Sequence, residues 1–475
     1  MQTTSNPTPA RDLPPPVAET GPSRAARSTQ ALLSTSPRHH GFEALEVEGE
    51  LPRDLVGTLY RNGPALFEVG GVRYDHLFEG DGGITALRLD GGHAFGAHRI
   101  LETPGLAQER AEGRAIFGTS VPWHRRIANT YRGRHKNVAN TSVLSHQGAL
   151  YALWEAGKPT RIDGDTLALV GEDTLGGVVQ GAFSAHPHAV PARRTTYNFG
   201  VRLGRVNQLT AYALPWEGEA RVLGEVALRH PVMLHDFVAT ERHLVWFVSP
   251  IKLDLARFAL GLATFDRLFR WDASLATEVI VMPIDAPSEV RRFEVPAFFQ
   301  WHFANAFERE GEIVVDYVRY ANMDSFHEIG RTAAAKGALH RAVIDAHGLR
   351  SEETSSLACE FPLVHPAFEG TQSTATWVSL QGETGGIARI RGKEERAFFF
   401  DEGTLASEAV VIPKPGAPRS EDDVYVAALV MDGASQRSFF AVWDGPRFQD
   451  GPIAKAWFDH PVPITFHGKW VPTAT

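Results

Sequence analysis

DVYVAALVMDG, residues 423–433, is a short run of β-branched, aromatic and aliphatic residues that stops on an Asp-Gly pair. The Val and Tyr content favours a strand, and the Asp-Gly favours a turn. Related runs recur along the chain: GTLYRN (57–62), GITALRL (83–89), ALYALW (149–154), EIVVDYV (312–318) and RAFFF (396–400). Clusters such as EGDGG (79–83), LDGG (89–92) and IDGD (162–165) punctuate them and read as hairpins or turns. A parallel α/β arrangement would need long amphipathic helices between strands, and few stretches offer one. The pattern predicts an all-β architecture: sandwich, barrel or propeller.

Composition narrows the function. The 475 residues are 43% apolar, enough for a large core, and a long all-β chain can fold as one unit. Residues 1–38 stand apart. Seven of them are proline, and Ser, Thr and Ala fill most of the rest, so they are expected to form a disordered arm ahead of a single domain over 39–475. The net charge of −9, with no basic block, speaks against a nucleic-acid partner. A single cysteine, Cys359, excludes an intrachain disulfide and fits a reducing compartment such as the cytoplasm. It is expected to be a small buried apolar residue. No long breaker-free apolar stretch marks a membrane span, and the N-terminus lacks the apolar core of a secretory signal. Nothing points to an obligate protein partner.

Four histidines sit in four unlike phrases: FSAHPH (His186), LHDF (His235), WHFANAFE (His302) and FHGKW (His467). Neutral imidazole is the commonest protein metal ligand, and nitrogen ligation suits iron, copper, nickel or zinc rather than calcium or magnesium. The gaps between them are 49, 67 and 165 residues. With roughly 40–60 residues in a four-stranded propeller blade, these are about one, one and three blades. Seven blades would then fill the chain, and inner strands could bring the four imidazoles to one axis. His188, two residues from His186, would share its side of a strand, so spacing alone does not reject it. The chain has no HExxH, C-x-x-C or short histidine cluster, which disfavours zinc-protease and zinc-finger sites.

IKLDLARFALGLATFDRLFRW (251–271) breaks the strand pattern. Leu255, Phe258, Leu262, Phe265 and Phe269 fall at helical steps, with Lys252, Arg257, Arg267 and Arg270 beside them. The expectation is an amphipathic helix, either packed over the propeller face or lying in a membrane surface as a lip for a lipophilic substrate.

Across Leu51 to His467 the chain resembles the carotenoid cleavage oxygenase family. The similar stretches include LYRNGPALF (59–67), RYDHLFEGDGG (73–83), KNVANTSV (136–143), LYALWEAGKP (150–159), CEFP (359–362), VVIPKPGA (410–417) and the four histidine phrases. The resemblance implies a seven-bladed β-propeller with a helical and loop cap over the face carrying a substrate tunnel. It implies a non-haem Fe(II) held by His186, His235, His302 and His467, with Glu155, Glu360 and Glu408 behind the imidazoles. Carboxylates there would fix tautomers and offset a +2 charge in a poorly solvated channel. Which glutamate serves which histidine is not readable from sequence. Glu308 is expected to be structural, and EDD (421–423) to be a solvated turn.

The implied activity is dioxygenase cleavage of a conjugated C=C bond of a carotenoid or apocarotenoid, with O2 and a lipophilic polyene as the partners and two carbonyl products. Members that cleave stilbenes or lignostilbenes typically carry a lysine just before the first glutamate. Here that position is Trp154, a candidate tunnel residue that favours polyenes. His188 stands where a lysine often follows His-Pro, and Val424 where EDDG is common. Other classes are a calcium-type propeller hydrolase, which would need oxygen ligands on the axis, and a propeller without catalysis.

Overall fold

A computed structural model describes residues 22–328, 336–382, 384–417 and 419–473. The strands form seven antiparallel sheets of four to six strands arranged as the blades of a β-propeller. Blade 1 places His467–Pro472 innermost, then Gly57–Leu66, Asp81–Asp90 and His93–Ile100, with His40–Ala44 outside. The inner strands of blades 2 to 7 are Ser142–His146, His188–Val190, Val238–Ala239, Phe303–Arg309, Cys359–Leu363 and Val410–Pro413. The opening stretch forms the second strand of blade 7, Val424–Met431, and every residue of it is buried. Both faces of each blade press on a neighbour, so central strands run almost continuously apolar instead of alternating.

Among the described residues the core comprises eight apolar clusters: seven lie one between each pair of adjacent blades, and an eighth, including Leu66, Tyr74 and Leu106, joins blade 1 to the cap. Phe237 and Trp246 of blade 4, for example, meet Tyr197 and Phe199 of blade 3. The ring closes twice. Blade 1 is completed by pairing of residues 467–472 with 57–62, and blade 7 by Glu46–Gly49 pairing with Ala454–Trp457. The innermost strands remain sheet edges on the axis, but each is only two to seven residues long.

Three expectations need correction. The disordered arm does not extend to residue 38. Arg24–Leu32 is an α-helix whose Ser23 Oγ accepts the Ala26 N–H at 3.2 Å, and Ala25 and Ser28 are buried. Six of the seven prolines precede Ser23, which leaves a proline-free stretch able to propagate helix. Residues 1–21 of that expectation lie outside the described residues.

Segment 251–271 is not one helix. Ile251–Leu253 pairs with Phe269–Trp271 as a hairpin, and two short helices, Leu255–Ala259 and Phe265–Leu268, sit between them. Gly261 at φ +69° breaks the apolar stripe, and Arg126 donates to the Gly261 and Ala263 carbonyls, holding the break in place. Finally, EGDGG is not a turn throughout. Asp81–Gly83 lies within a strand, where a Cβ on Gly82 would stand 2.2 Å from the Ala139 carbonyl oxygen, so glycine permits the close approach.

Loops 101–141 and 249–276 cover the end at which the inner strands begin, as antiparallel alternation requires. They carry helices Pro104–Glu112 and Trp123–Tyr131, and they form the expected cap. Among the described residues no helix is long and apolar enough to cross a membrane.

Candidate metal centre

Each of the four histidines stands where its chain segment enters an inner strand. His186, His235 and His302 precede or abut the inner strands of blades 3, 4 and 5, and His467 opens that of blade 1. From blade 5 round to blade 1 is three steps, so the gaps of one, one and three blades match the ring. One ring nitrogen from each histidine lies within 4.8 Å of those of the others. His235 Nε2 and His302 Nε2 face each other at 3.2 Å. Ring centroids of His186 and His467 are 4.6 Å apart, and those of His302 and His467 4.8 Å.

The three glutamates come from the remaining blades. Glu360 is in the inner strand of blade 6, Glu408 precedes that of blade 7, and Glu155 follows the second strand of blade 2. Every blade thus sends one histidine or glutamate to the axis. Glu360 Oε2 accepts from His302 Nδ1 at 2.5 Å, and Glu408 Oε1 from His467 Nδ1 at 2.9 Å. Glu155 makes an ion-pair contact with His235 Nδ1, off the line of a well-directed hydrogen bond. With Nδ1 protons turned toward carboxylates, the Nε2 lone pairs of these rings converge. Two lone pairs 3.2 Å apart repel unless a cation lies between them. His186 Nε2 is buried without a hydrogen-bond partner, as are the Nε2 atoms of six other histidines, but of these only His186 belongs to the converging four-histidine group. The donor set therefore fits a borderline transition metal with nitrogen preference and does not fit calcium.

Electrostatics agree. Burial pushes the His186 imidazole well below its ordinary range, and the neighbouring imidazoles push it further, so it stays neutral and able to ligate. Burial raises the Glu408 carboxyl, but His467 and the Arg61 guanidinium outweigh it and hold the group below its usual value. Arg61 is itself fully buried, 3.3 Å from Glu408 Oε2. Tyr320 donates to Glu360 Oε1 at 3.1 Å and in turn accepts from Gln381.

The site has two unlike sides. Along the axis, a narrow cavity of about 160 Å³ reaches His186, His302 and His467 past His188, Asp236 and Lys469. Toward the N-terminal helix lies a larger apolar chamber of about 450 Å³, walled by residues such as Leu33, Leu380, Leu405, Leu429 and Ile464. Phe361 lines both, stacks on His302 at 5.0 Å, and holds φ +53°, a conformation uncommon for a bulky residue. Its N–H is tied to Glu360 Oε2 at 2.6 Å. Trp301 packs edge-on against His235 at 4.8 Å. Trp154 and Glu155 are half-buried, and the Glu155 side chain is 28% exposed against 7% for Glu360 and 5% for Glu408. The blade 2 corner is the open one.

Other groups take the structural roles expected of them. Glu308 accepts from His243 and Thr240, Asp422 pairs with Arg389 and Arg391, and burial pushes the Cys359 thiol up to about 12. Sequence reasoning passed over Arg61, Asp236, Tyr320 and Phe361. Only Asp236 carried a local signal, as an acid directly after His235 in an apolar phrase.

Comparison with known proteins places this geometry in context. Residues 35–472 match the family model described as retinal pigment epithelial membrane protein. Apocarotenoid-15,15'-oxygenase of Synechocystis sp. is 29% identical over 489 residues, covering 95% of this chain and 98% of that protein. Carotenoid 9,10(9',10')-cleavage dioxygenase 1 of Phaseolus vulgaris is 28% identical, covering 90% and 86%. A solved structure of cobalt-substituted Synechocystis apocarotenoid oxygenase superposes with a TM-score of 0.86 at 28% identity, over 94% of this chain and 99% of that one.

Proposed function

The chain belongs to the carotenoid cleavage oxygenase family, and from that premise we propose that it is an Fe(II)-dependent dioxygenase cleaving one conjugated C=C bond of a carotenoid or apocarotenoid to two carbonyl products. The observation that carries the reading is the convergence of four imidazoles, with an orphan Nε2 on His186, in front of three carboxylates. His186, His235, His302 and His467 would hold the iron, and Glu155, Glu360 and Glu408 would orient three of them. Bound there, Fe(II) supplies the one-electron chemistry that lets O2 react with a polyene. The related Synechocystis enzyme takes cobalt in a solved structure, so a metal belongs to that protein's architecture.

The chain's own residues would do the remaining work. The apolar chamber beside Phe361 takes up one arm of an extended polyene; its volume lies in the range of roughly 300–1,000 Å³ typical of ligand pockets. Trp301 and Phe361 keep water from the imidazoles, and Trp154 at the open corner offers an apolar face where a phenol would find no cation. That favours polyenes over stilbenes. Exposed Trp123, Leu260 and Leu262, beside Lys252, Arg257 and Arg267, support docking of the cap on a membrane surface where such substrates dissolve.

Metal analysis of the purified protein, followed by mass analysis of products from apocarotenals and stilbenes with iron-loaded enzyme in air, tests the assignment. Shorter aldehydes from the apocarotenals are expected, with no turnover in His302→Ala. Calcium without iron, or full activity in that variant, overturns it. Leu260→Glu with Leu262→Glu is expected to lower liposome binding; unchanged binding removes the membrane reading.

A further inference from the structure

Asp236 is buried at the junction of three inner strands. Its Oδ1 accepts from Phe237 N at 2.7 Å and from His188 Nε2 at 3.0 Å, and its Oδ2 accepts from Phe303 N at 2.8 Å. His188 opens the inner strand of blade 3 two residues after His186. Asp236 directly follows His235, and Phe303 directly follows His302. One carboxylate therefore ties together the backbones that present three of the four imidazoles.

This matters most for His186. The other three rings each have a carboxylate at Nδ1, whereas no carboxylate among the described residues contacts the His186 ring. Its segment is held from behind instead, by Ser184 Oγ accepting the His186 N–H at 3.1 Å, by Ser142 donating to the Ala185 carbonyl, and by the His188–Asp236 bond. His188 is itself braced: Phe237 packs edge-on against it at 5.1 Å, and Ala189 N donates to Glu369 Oε2 at 3.0 Å. A metal centre tolerates distance errors of only about 0.2 Å. Ligands from three separate blades meet that tolerance only if the blades cannot slide against one another.

We propose that Asp236, with His188 as its strut, is a positioning residue for the metal centre, locking the segments of His186, His235 and His302 into one frame. The proposal rests on the metal-centre reading above. It makes His188 more than a neighbour of a ligand: its planar ring N–H supplies the link between blades 3 and 4 at the axis.

The test compares wild type with His188→Ala, His188→Lys and Asp236→Asn, each loaded with Fe(II), by the rate of iron release to a colorimetric chelator. A second readout is the visible spectrum of the Co(II)-loaded proteins. Outer partners of metal ligands are typically worth about 10–100-fold in affinity. Release about 10-fold faster is expected for His188→Ala, about 100-fold faster for Asp236→Asn, and near wild type for His188→Lys, which restores a donor. The cobalt bands should shift in the first two and return in the third. Wild-type release rates and spectra in His188→Ala overturn the proposal. If Asp236→Asn fails to fold, the His188 pair decides alone. Failure of wild type to take up any metal would instead remove the metal-centre reading itself.

Discussion

Replacing Glu408 by Gln isolates the value of one buried charge. Glu408 Oε1 accepts from His467 Nδ1 at 2.9 Å; Oε2 accepts from Gly468 N at 2.8 Å and faces Arg61 Nη1 at 3.3 Å. Arg61 spends its other N–H groups on Thr465 Oγ1, the Phe466 carbonyl and the Glu408 carbonyl. A glutamine amide must turn its NH2 either toward Gly468 and Arg61, where a donor meets donors, or toward His467, whose ring must then carry its proton on Nε2 so that Nδ1 can accept. In both cases the guanidinium stays charged, fully buried and uncompensated. Breaking one side of a buried ion pair costs about 3–5 kcal/mol, a large share of the roughly 5–15 kcal/mol that holds a domain folded. The assay is urea unfolding of the metal-free proteins followed by tryptophan fluorescence. Glu155→Gln is the internal control. Its carboxylate is partly solvated, so its loss should cost about 1 kcal/mol or less while still weakening iron retention through His235. Equal destabilisation by the two variants, or less than about 1 kcal/mol for Glu408→Gln, would refute the reasoning.

Three further outcomes are expected. Burial holds the His98 imidazole down to about 3, well under its ordinary 6.5, with His39, His460 and His40 adding to the effect. The unfolded chain then binds the extra proton between those values, so stability falls as pH drops from 6.5 toward 3, by about 1.4 kcal/mol per pH unit for one group. His98→Asn, which keeps a partner for Thr85, should flatten that slope in unfolding titrations; an unchanged slope denies His98 the role. Trp154→Lys should gain turnover of phenolic stilbenes relative to apocarotenals in a product panel, and an unchanged ratio would remove Trp154 from the substrate path. Phe361→Ala joins the axial cavity to the apolar chamber and should lower turnover and scatter the position of cleavage, read by product mass; wild-type products would show that the ring does not divide the two.

Much of the site was legible because the histidine and glutamate phrases carry the family resemblance, and the gaps of about one, one and three blades between the histidines agree with it. Pairing was not legible. Glu360 with His302 and Glu408 with His467 are contacts 58 and 59 residues apart in sequence, yet the glutamate lies one blade ahead of its histidine in the first pair and one blade behind in the second, and Glu155 lies two blades behind His235. Nothing local distinguishes these from other combinations. Segment 251–271 misled because its apolar steps obey helical spacing on both sides of Gly261, while tertiary bonds from Arg126 decide where the helix ends. The helix at residues 24–32 was hidden by averaging over a proline-rich stretch in which six of the seven prolines fall at or before residue 22. Arg61 lies in the strand phrase GTLYRN beside Asn62, where it reads as an ordinary polar position, and its burial is explained only by partners 347 to 405 residues away.

The double closure of the ring has a consequence for assembly. His467 enters the axis on a strand hydrogen-bonded to residues 57–62, so the fourth imidazole arrives only when the most distant parts of the chain meet. A chain with blades 2 through 6 already stacked still offers three imidazoles and a half-formed cage. Metal capture at the proposed centre would thus be coupled to completion of the circle, and a bound ion would stabilise the seam that admits it. Cells starved of the metal should accumulate a protein that is largely folded but unfastened at blade 1, where proteases would find it first.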